Sequence, residues 1–92
     1  MMLKQDPYII QTYLKLGLIY YEKGQYNKAM QTYEDALSKD PNIAEVLNQL
    51  GIVYFKKGFY NKARQQWEKA LEIEPDFLPA RRNLEAFKKN VK

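Results

Sequence analysis

Carboxylates, lysines, tyrosines and hydroxyls are the side chains here that could move a proton or attack a bond. The chain has no histidine and no cysteine. It therefore lacks the usual neutral-pH base, the commonest metal ligand, a thiolate and any disulfide. The acidic pairs are Glu34 with Asp35 and Glu72 with Glu74. Residues one or two apart on a helix point to different faces. These pairs do not converge, as a general acid and base would have to. No Gly-rich phosphate loop and no metal-ligand spacing occurs. The expectation is a protein that is not an enzyme, with no cofactor and no metal.

Binding is the chemistry left, and the composition suits it. Hydrophobic residues make up 46% of the 92, with eight Tyr, four Phe and one Trp. That is enough apolar mass for one folded domain, and aromatics serve either a dense core or an adhesive surface. The net charge of +4 is mild, and its signs alternate as on solvated helix faces. No apolar run reaches membrane-spanning length. The opening "MMLKQDPYII" has no basic stretch followed by a long apolar one, so it does not read as a secretion signal. A cytoplasmic protein with no membrane partner is expected.

The elements that would position a binding surface announce themselves by repetition. "YNKA" stands at 26–29 and again at 60–63. At the same offset of 34, Leu16 meets Leu50, Gly17 meets Gly51 and Tyr20 meets Tyr54. Tyr33 meets Trp67, Glu34 meets Glu68, Ala36-Leu37 meets Ala70-Leu71, and Pro41 meets Pro75. A fixed period of this length marks a repeat architecture.

Each unit reads as two helices. Ile43, Leu47, Leu50, Val53 and Tyr54 recur at spacings of three and four, predicting a helix over 43–57. Gly58 ends it, since glycine adopts the left-handed turn of a helix exit. Ala63, Trp67, Ala70 and Leu71 continue at helical spacing until Pro75 stops the second helix. The first unit repeats the plan over 9–23, Gly24, 26–39 and Pro41.

Gly17 and Gly51 fall inside predicted helices, where glycine costs roughly 1 kcal/mol relative to alanine. Close packing against a facing helix would offset that. Ala29, Ala36, Ala63 and Ala70 fit the same close approach, and Tyr20, Tyr33, Tyr54 and Trp67 would fill the space between helix pairs. After Pro75, the residues Phe77, Ala80, Leu84, Phe87 and Val91 form one apolar stripe, with Asp76 as a helix cap and Pro79 in the first turn. Glu85 stands where Gly17 and Gly51 stood, as on a polar capping helix.

This pattern resembles the tetratricopeptide repeat. The resemblance rests on Tyr13, Leu16-Gly17, Tyr20, Ala29, Tyr33, Ala36 and Pro41, and on Leu47, Leu50-Gly51, Tyr54, Ala63, Trp67, Ala70 and Pro75. It implies an all-α fold, an α-α superhelix of helical hairpins with about five helices. The units would run 8–41 and 42–75, with a capping helix over 76–92. "MLKQDP" at 2–7 echoes "ALSKDP" at 36–41 and "ALEIEP" at 70–75. Residues 1–7 thus read as the tail of a preceding repeat or a lead-in, as in a piece of a longer array.

The resemblance also implies a site. In this family the first helix of each pair lines a concave groove. Here that places Gln11, Leu14, Lys15, Leu18, Tyr21 and Glu22 in the groove from the first unit. The second unit would add Glu45, Asn48, Gln49, Ile52, Phe55 and Lys56, and the cap Arg82, Asn83, Ala86 and Lys89. Leu14, Leu18 and Tyr21, like Ile52 and Phe55, give these helices a second apolar face, suited to a protein partner. An extended peptide or an amphipathic helix could lie there. One subclass of the family grips a C-terminal carboxylate with Lys, Asn and Arg. Its places fall here on Leu14, Leu18, Gln49, Pro79 and Asn83, without the cations, so that mode is not expected. The alternative is self-association through the first helix, where Ile9, Thr12, Tyr13, Leu16 and Ile19 would be partly bare. Nucleic acid or an acidic partner at Arg81, Arg82, Lys88, Lys89 and Lys92 is disfavoured, since no aromatic interleaves these cations on their exposed face and the net charge is low.

Overall fold

Glycine and proline divide the chain where the sequence says they should. In the computed structural model, which describes residues 7–90, five α-helices follow one another. They are α1 (Pro7–Glu22), α2 (Tyr26–Lys39), α3 (Ala44–Lys56), α4 (Tyr60–Ile73) and α5 (Leu78–Asn90). No strand occurs among the described residues. The reading of 1–7 as the tail of a repeat lies, but for Pro7, outside them, as do Val91 and Lys92.

The two hairpin turns are built alike. Gly24 has φ +76° and Gly58 φ +87°, the left-handed region that favours glycine. In the first turn Gln25 N–H donates to the Tyr20 carbonyl at 2.9 Å and Gly24 N–H to that of Tyr21 at 2.9 Å. In the second, Phe59 N–H donates to Tyr54 at 2.9 Å and Gly58 N–H to Phe55 at 3.0 Å. This paired exit bonding satisfies carbonyls the helix end would leave orphaned. The last helix opens at Leu78, so Pro79 sits in its first turn as expected, but the start lies one residue later than a cap at Asp76 would place it.

The helices pack in sequence, α1 on α2, α2 on α3, α3 on α4 and α4 on α5. In addition α1 touches α3 and α3 touches α5. The first helix of each pair and the capping helix therefore line one side of the stack. The helical glycines make the pairs close. A Cβ on Gly17 would run into the ring of Tyr33, and one on Gly51 would lie 2.6 Å from Trp67 Nε1. The glycines are thus the seats of the two large aromatics. Ala29, Ala36, Ala63 and Ala70 are wholly buried beside them. Tyr33, Tyr54 and Trp67 are buried as expected, whereas Tyr20 is only half-buried. Among the described residues no helix is long and apolar enough to cross a membrane.

Candidate functional site, a groove along the first helices

The side lined by α1, α3 and α5 carries the residues expected of the groove. They follow the 34-residue offset, so one helix position recurs down the stack. Leu18, Ile52 and Ala86 form one row, and Tyr21, Phe55 and Lys89 another. Leu18 is exposed, Ile52 and Tyr21 are half-buried, and Phe55 is 39% exposed. Glu45 and Arg82 are exposed, and Gln49 and Asn83 are half-buried.

Two of the expected groove residues are not available to a partner. Leu14 is 8% exposed and Asn48 4%. They are one position in successive repeats. The reason is the seam between neighbouring first helices. Asn83 Nδ2 on α5 donates to Asn48 Oδ1 on α3 at 2.8 Å, so this position faces the next helix of the row. Leu14 occupies the same position on α1, which meets α3, and joins the core. Arg82, the third of the set, stays exposed.

Between α3 and α5 the groove deepens into a cavity of ≈ 230 Å³. Ile52, Phe55 and Lys56 come from α3, Trp67 from α4, and Asn83 and Ala86 from α5. Phe55 is the hub of an aromatic cluster. Its ring centroid lies 5.0 Å from that of Tyr60, 6.2 Å from Trp67 and 6.2 Å from Phe87, and Trp67 and Phe87 meet edge-on at 6.1 Å. Trp67 is itself fixed, because its indole N–H donates to the Asn48 carbonyl at 3.2 Å. Trp67 lines this cavity, whereas the sequence reading assigned it only to the core. Its pairing with Gly51 was the available signal, since a ring seated on a first helix reaches toward the groove.

Further along, the Tyr33 ring occupies the corresponding seat on Gly17. Its hydroxyl is buried without a hydrogen-bond partner. Burial pushes this phenol's pKa up; the Gln49 side chain beside it favours the ionised form, but no well-formed hydrogen bond joins them. Chemically the groove offers apolar and aromatic surface, a few amides and the Lys56 ammonium. Among the described residues no three or more carboxylates gather where a metal ion could be held.

A second cavity, ≈ 440 Å³, opens on the other side of α1. Tyr8, Ile9, Thr12, Tyr13 and Leu16 line it, with Lys39 from the end of α2.

Models of the "TPR repeat" and the "Tetratricopeptide repeat" match residues 17–58 and 44–77, together more than half of the chain. The chain belongs to the tetratricopeptide-repeat family. No curated protein sequence matches it. Among solved structures this tetratricopeptide-repeat chain is similar to "First TPR of Spaghetti (RPAP3) bound to HSP90 peptide SRMEEVD". That likeness covers 96% of this chain and 97% of the other, with 16% identity and a TM-score of 0.56. At this identity it speaks for the tetratricopeptide-repeat fold and its helical-hairpin architecture, which the five helices also display. Such repeats serve protein–protein interaction.

Proposed function

We propose that this chain is a non-catalytic scaffold that holds a peptide or helix of a partner protein in its concave groove. The units are those of the 34-residue offset, 8–41 and 42–75, followed by the cap, and the setting is the cytoplasm. The observation that carries this reading is the cavity under Phe55 and Ile52, at groove positions expected from sequence. A half-exposed aromatic beside a cavity is the usual anchor of an interface. A large apolar side chain of the partner enters between α3 and α5, with Leu18 and Tyr21 extending the apolar track. Two repeats offer a small contact, for which an affinity near micromolar, about −8 kcal/mol, is expected.

The bound peptide of the RPAP3 structure, SRMEEVD, carries three acidic residues in its last four, and the carboxylate-gripping places of the family carry no cation here. SRMEEVD should therefore fail to bind. The test is selection of peptides from a displayed random library on the folded chain. Selected peptides should share a large apolar residue and lose about tenfold or more in affinity to Phe55→Ala, with the circular dichroism of the chain unchanged. Equal affinity for Phe55→Ala, or tight binding of SRMEEVD, would overturn the reading. The cap's cations support a nucleic-acid reading poorly, since Arg81 Nη2 is committed to the Pro75 carbonyl at 2.7 Å. Self-association through α1 draws support from the exposed Leu16 and Ile19.

A further inference from the structure

The groove holds two equivalent places, one repeat apart and opposite in charge. Ile52, Phe55, Lys56, Trp67 and Asn83 line the cavity between α3 and α5. At the offset of 34 their counterparts are Leu18, Tyr21, Glu22, Tyr33 and Gln49, between α1 and α3. The Tyr33 ring sits on Gly17 as Trp67 sits on Gly51. Burial raises the Tyr33 pKa; the Gln49 side chain lowers it, and the carboxylates of Glu45 and Glu22 raise it again, so all three lie about this phenol. Where the α3/α5 place has Lys56, the α1/α3 place has Glu22, with Glu45 beside it. Glu22, Glu45 and Lys56 are exposed, and none is in an ion pair among the described residues. Lys15 does not offset the two carboxylates. It is one repeat before Gln49 and two before Asn83, a position that turns to the preceding helix, and so lies on the edge of α1 away from α3. On α5, Lys89 continues the row of Tyr21 and Phe55, which adds positive charge at the other end.

The floors differ in the same sense. Trp67 has its indole N–H satisfied and offers ring surface, which suits an apolar side chain. The Tyr33 hydroxyl is buried without a partner, and an unpaired phenol under two carboxylates suits a side chain rich in N–H donors. On the reading of the groove as the binding face, we propose that it takes an extended, bipolar segment of a partner protein. A basic residue lies between α1 and α3, a large apolar residue enters between α3 and α5, and a carboxylate just beyond it meets Lys56. No carboxylate stands between the basic and the apolar residue. SRMEEVD does not meet this pattern, since both its glutamates lie between the arginine and the valine. Packed helices lie about 8–10 Å apart and an extended chain advances about 3.3 Å per residue, so the two places are about three residues apart. The half-buried amides favour an extended segment over a helix. Asn83 donates to Asn48 through Nδ2 and keeps its Oδ1 for an incoming N–H, and Gln49 is its counterpart. A helix bonds its backbone groups internally, whereas an extended backbone presents them.

The probe is an array of capped nonapeptides with a central phenylalanine and lysine, aspartate or alanine at every other position, titrated with the 92-residue chain by fluorescence anisotropy. The tightest should carry lysine about three residues to one side of the phenylalanine and aspartate next to it on the other. Lys56→Glu should weaken these by about tenfold and turn the preference beside the phenylalanine from aspartate to lysine. Glu22→Lys should do the reverse at the distant position only. Should either reversal disturb the circular dichroism, Lys56→Gln and Glu22→Gln should each erase the preference at its own position. Binding that needs the phenylalanine but ignores charge in the parent chain and in every variant would overturn the proposal and leave the groove reading standing. A charge preference that Phe55→Ala leaves unchanged in affinity would put the site outside the groove and overturn both, as would an array without a binding member.

Discussion

The two repeats share a plan but differ in what surrounds them. The second first-type helix, α3, is held on three sides by α2, α4 and α5, and eight of its residues are buried. The first, α1, has α2 on one side and a light contact with α3, and its equivalent apolar residues lie open. One set of side-chain types is therefore core in one unit and surface in the other. Burial here depends on the neighbour, as the additive energetics of stacked repeats require.

The glycines put the largest load on that contrast. Gly51→Leu forces a branched side chain into Trp67 while α3 has no free side toward which to retreat. Overpacking of this kind costs typically 1 to 3 kcal/mol and here about 3 or more. Gly17→Leu meets Tyr33 with equal directness, yet α1 can move outward, so about half that cost is expected. Urea denaturation of the pair measures the difference. Equal losses would mean α1 is as firmly held as α3.

Truncation comes next. Leu50→Ala removes a fully packed side chain and should cost about 2 to 5 kcal/mol. Leu16→Ala, at the same repeat position, should cost less than about 1 kcal/mol. A loss for Leu16→Ala approaching that of Leu50→Ala, measured in the same way, would show the outer face of α1 to be covered in solution.

The tyrosines give a smaller effect with a pH signature. Burial first, and then the hydrogen-bonded carboxylate of Glu34, push the Tyr54 pKa from 10.0 up to about 12. In the fold the phenol keeps its proton where the unfolded chain gives it up. The stability contributed by Tyr54 is thus intact below pH 10 and is lost as the pH climbs from 10 toward 12. The melting temperature of the parent chain should fall more steeply across that window than that of Tyr54→Phe. At neutral pH Tyr54→Phe should cost about 1 kcal/mol and Tyr20→Phe within about 0.5 kcal/mol of nothing.

Most of the fold was legible because repetition supplies independent readings of one unit. Helix periods, Gly24 and Gly58, and Pro41 and Pro75 all bounded the same elements, and Gly17 and Gly51 foretold the close approach. For the proposed groove, the sequence indicated which helix faces line one side of the stack, but not which positions on them stay exposed. Leu14 and Asn48 lie between the core stripe and the groove stripe, and which way such a position turns depends on how near the next first helix comes. That distance is a property of packing and is not written in the period. Trp67 was hidden for a related reason, since one side chain seals the core with one edge and floors a cavity with the other.

The smallest effect concerns the rings seated on the glycines. Trp67 and Tyr33 occupy one repeat position, yet their polar atoms fare differently. The indole N–H of Trp67 donates to the Asn48 carbonyl, whereas the Tyr33 hydroxyl is buried without a partner. Removing a satisfied donor leaves its acceptor unpaired, but removing an unsatisfied one relieves a desolvation cost. Tyr33→Phe should accordingly be neutral or stabilising by up to about 1 kcal/mol, the opposite sign from the usual core substitution. Chemical denaturation at neutral pH gives the sign directly. A clear loss of stability would mean that the hydroxyl is hydrogen-bonded in solution, with Gln49 the nearest group able to turn toward it, and the two seats would then be alike in their polar chemistry as well as in their shape.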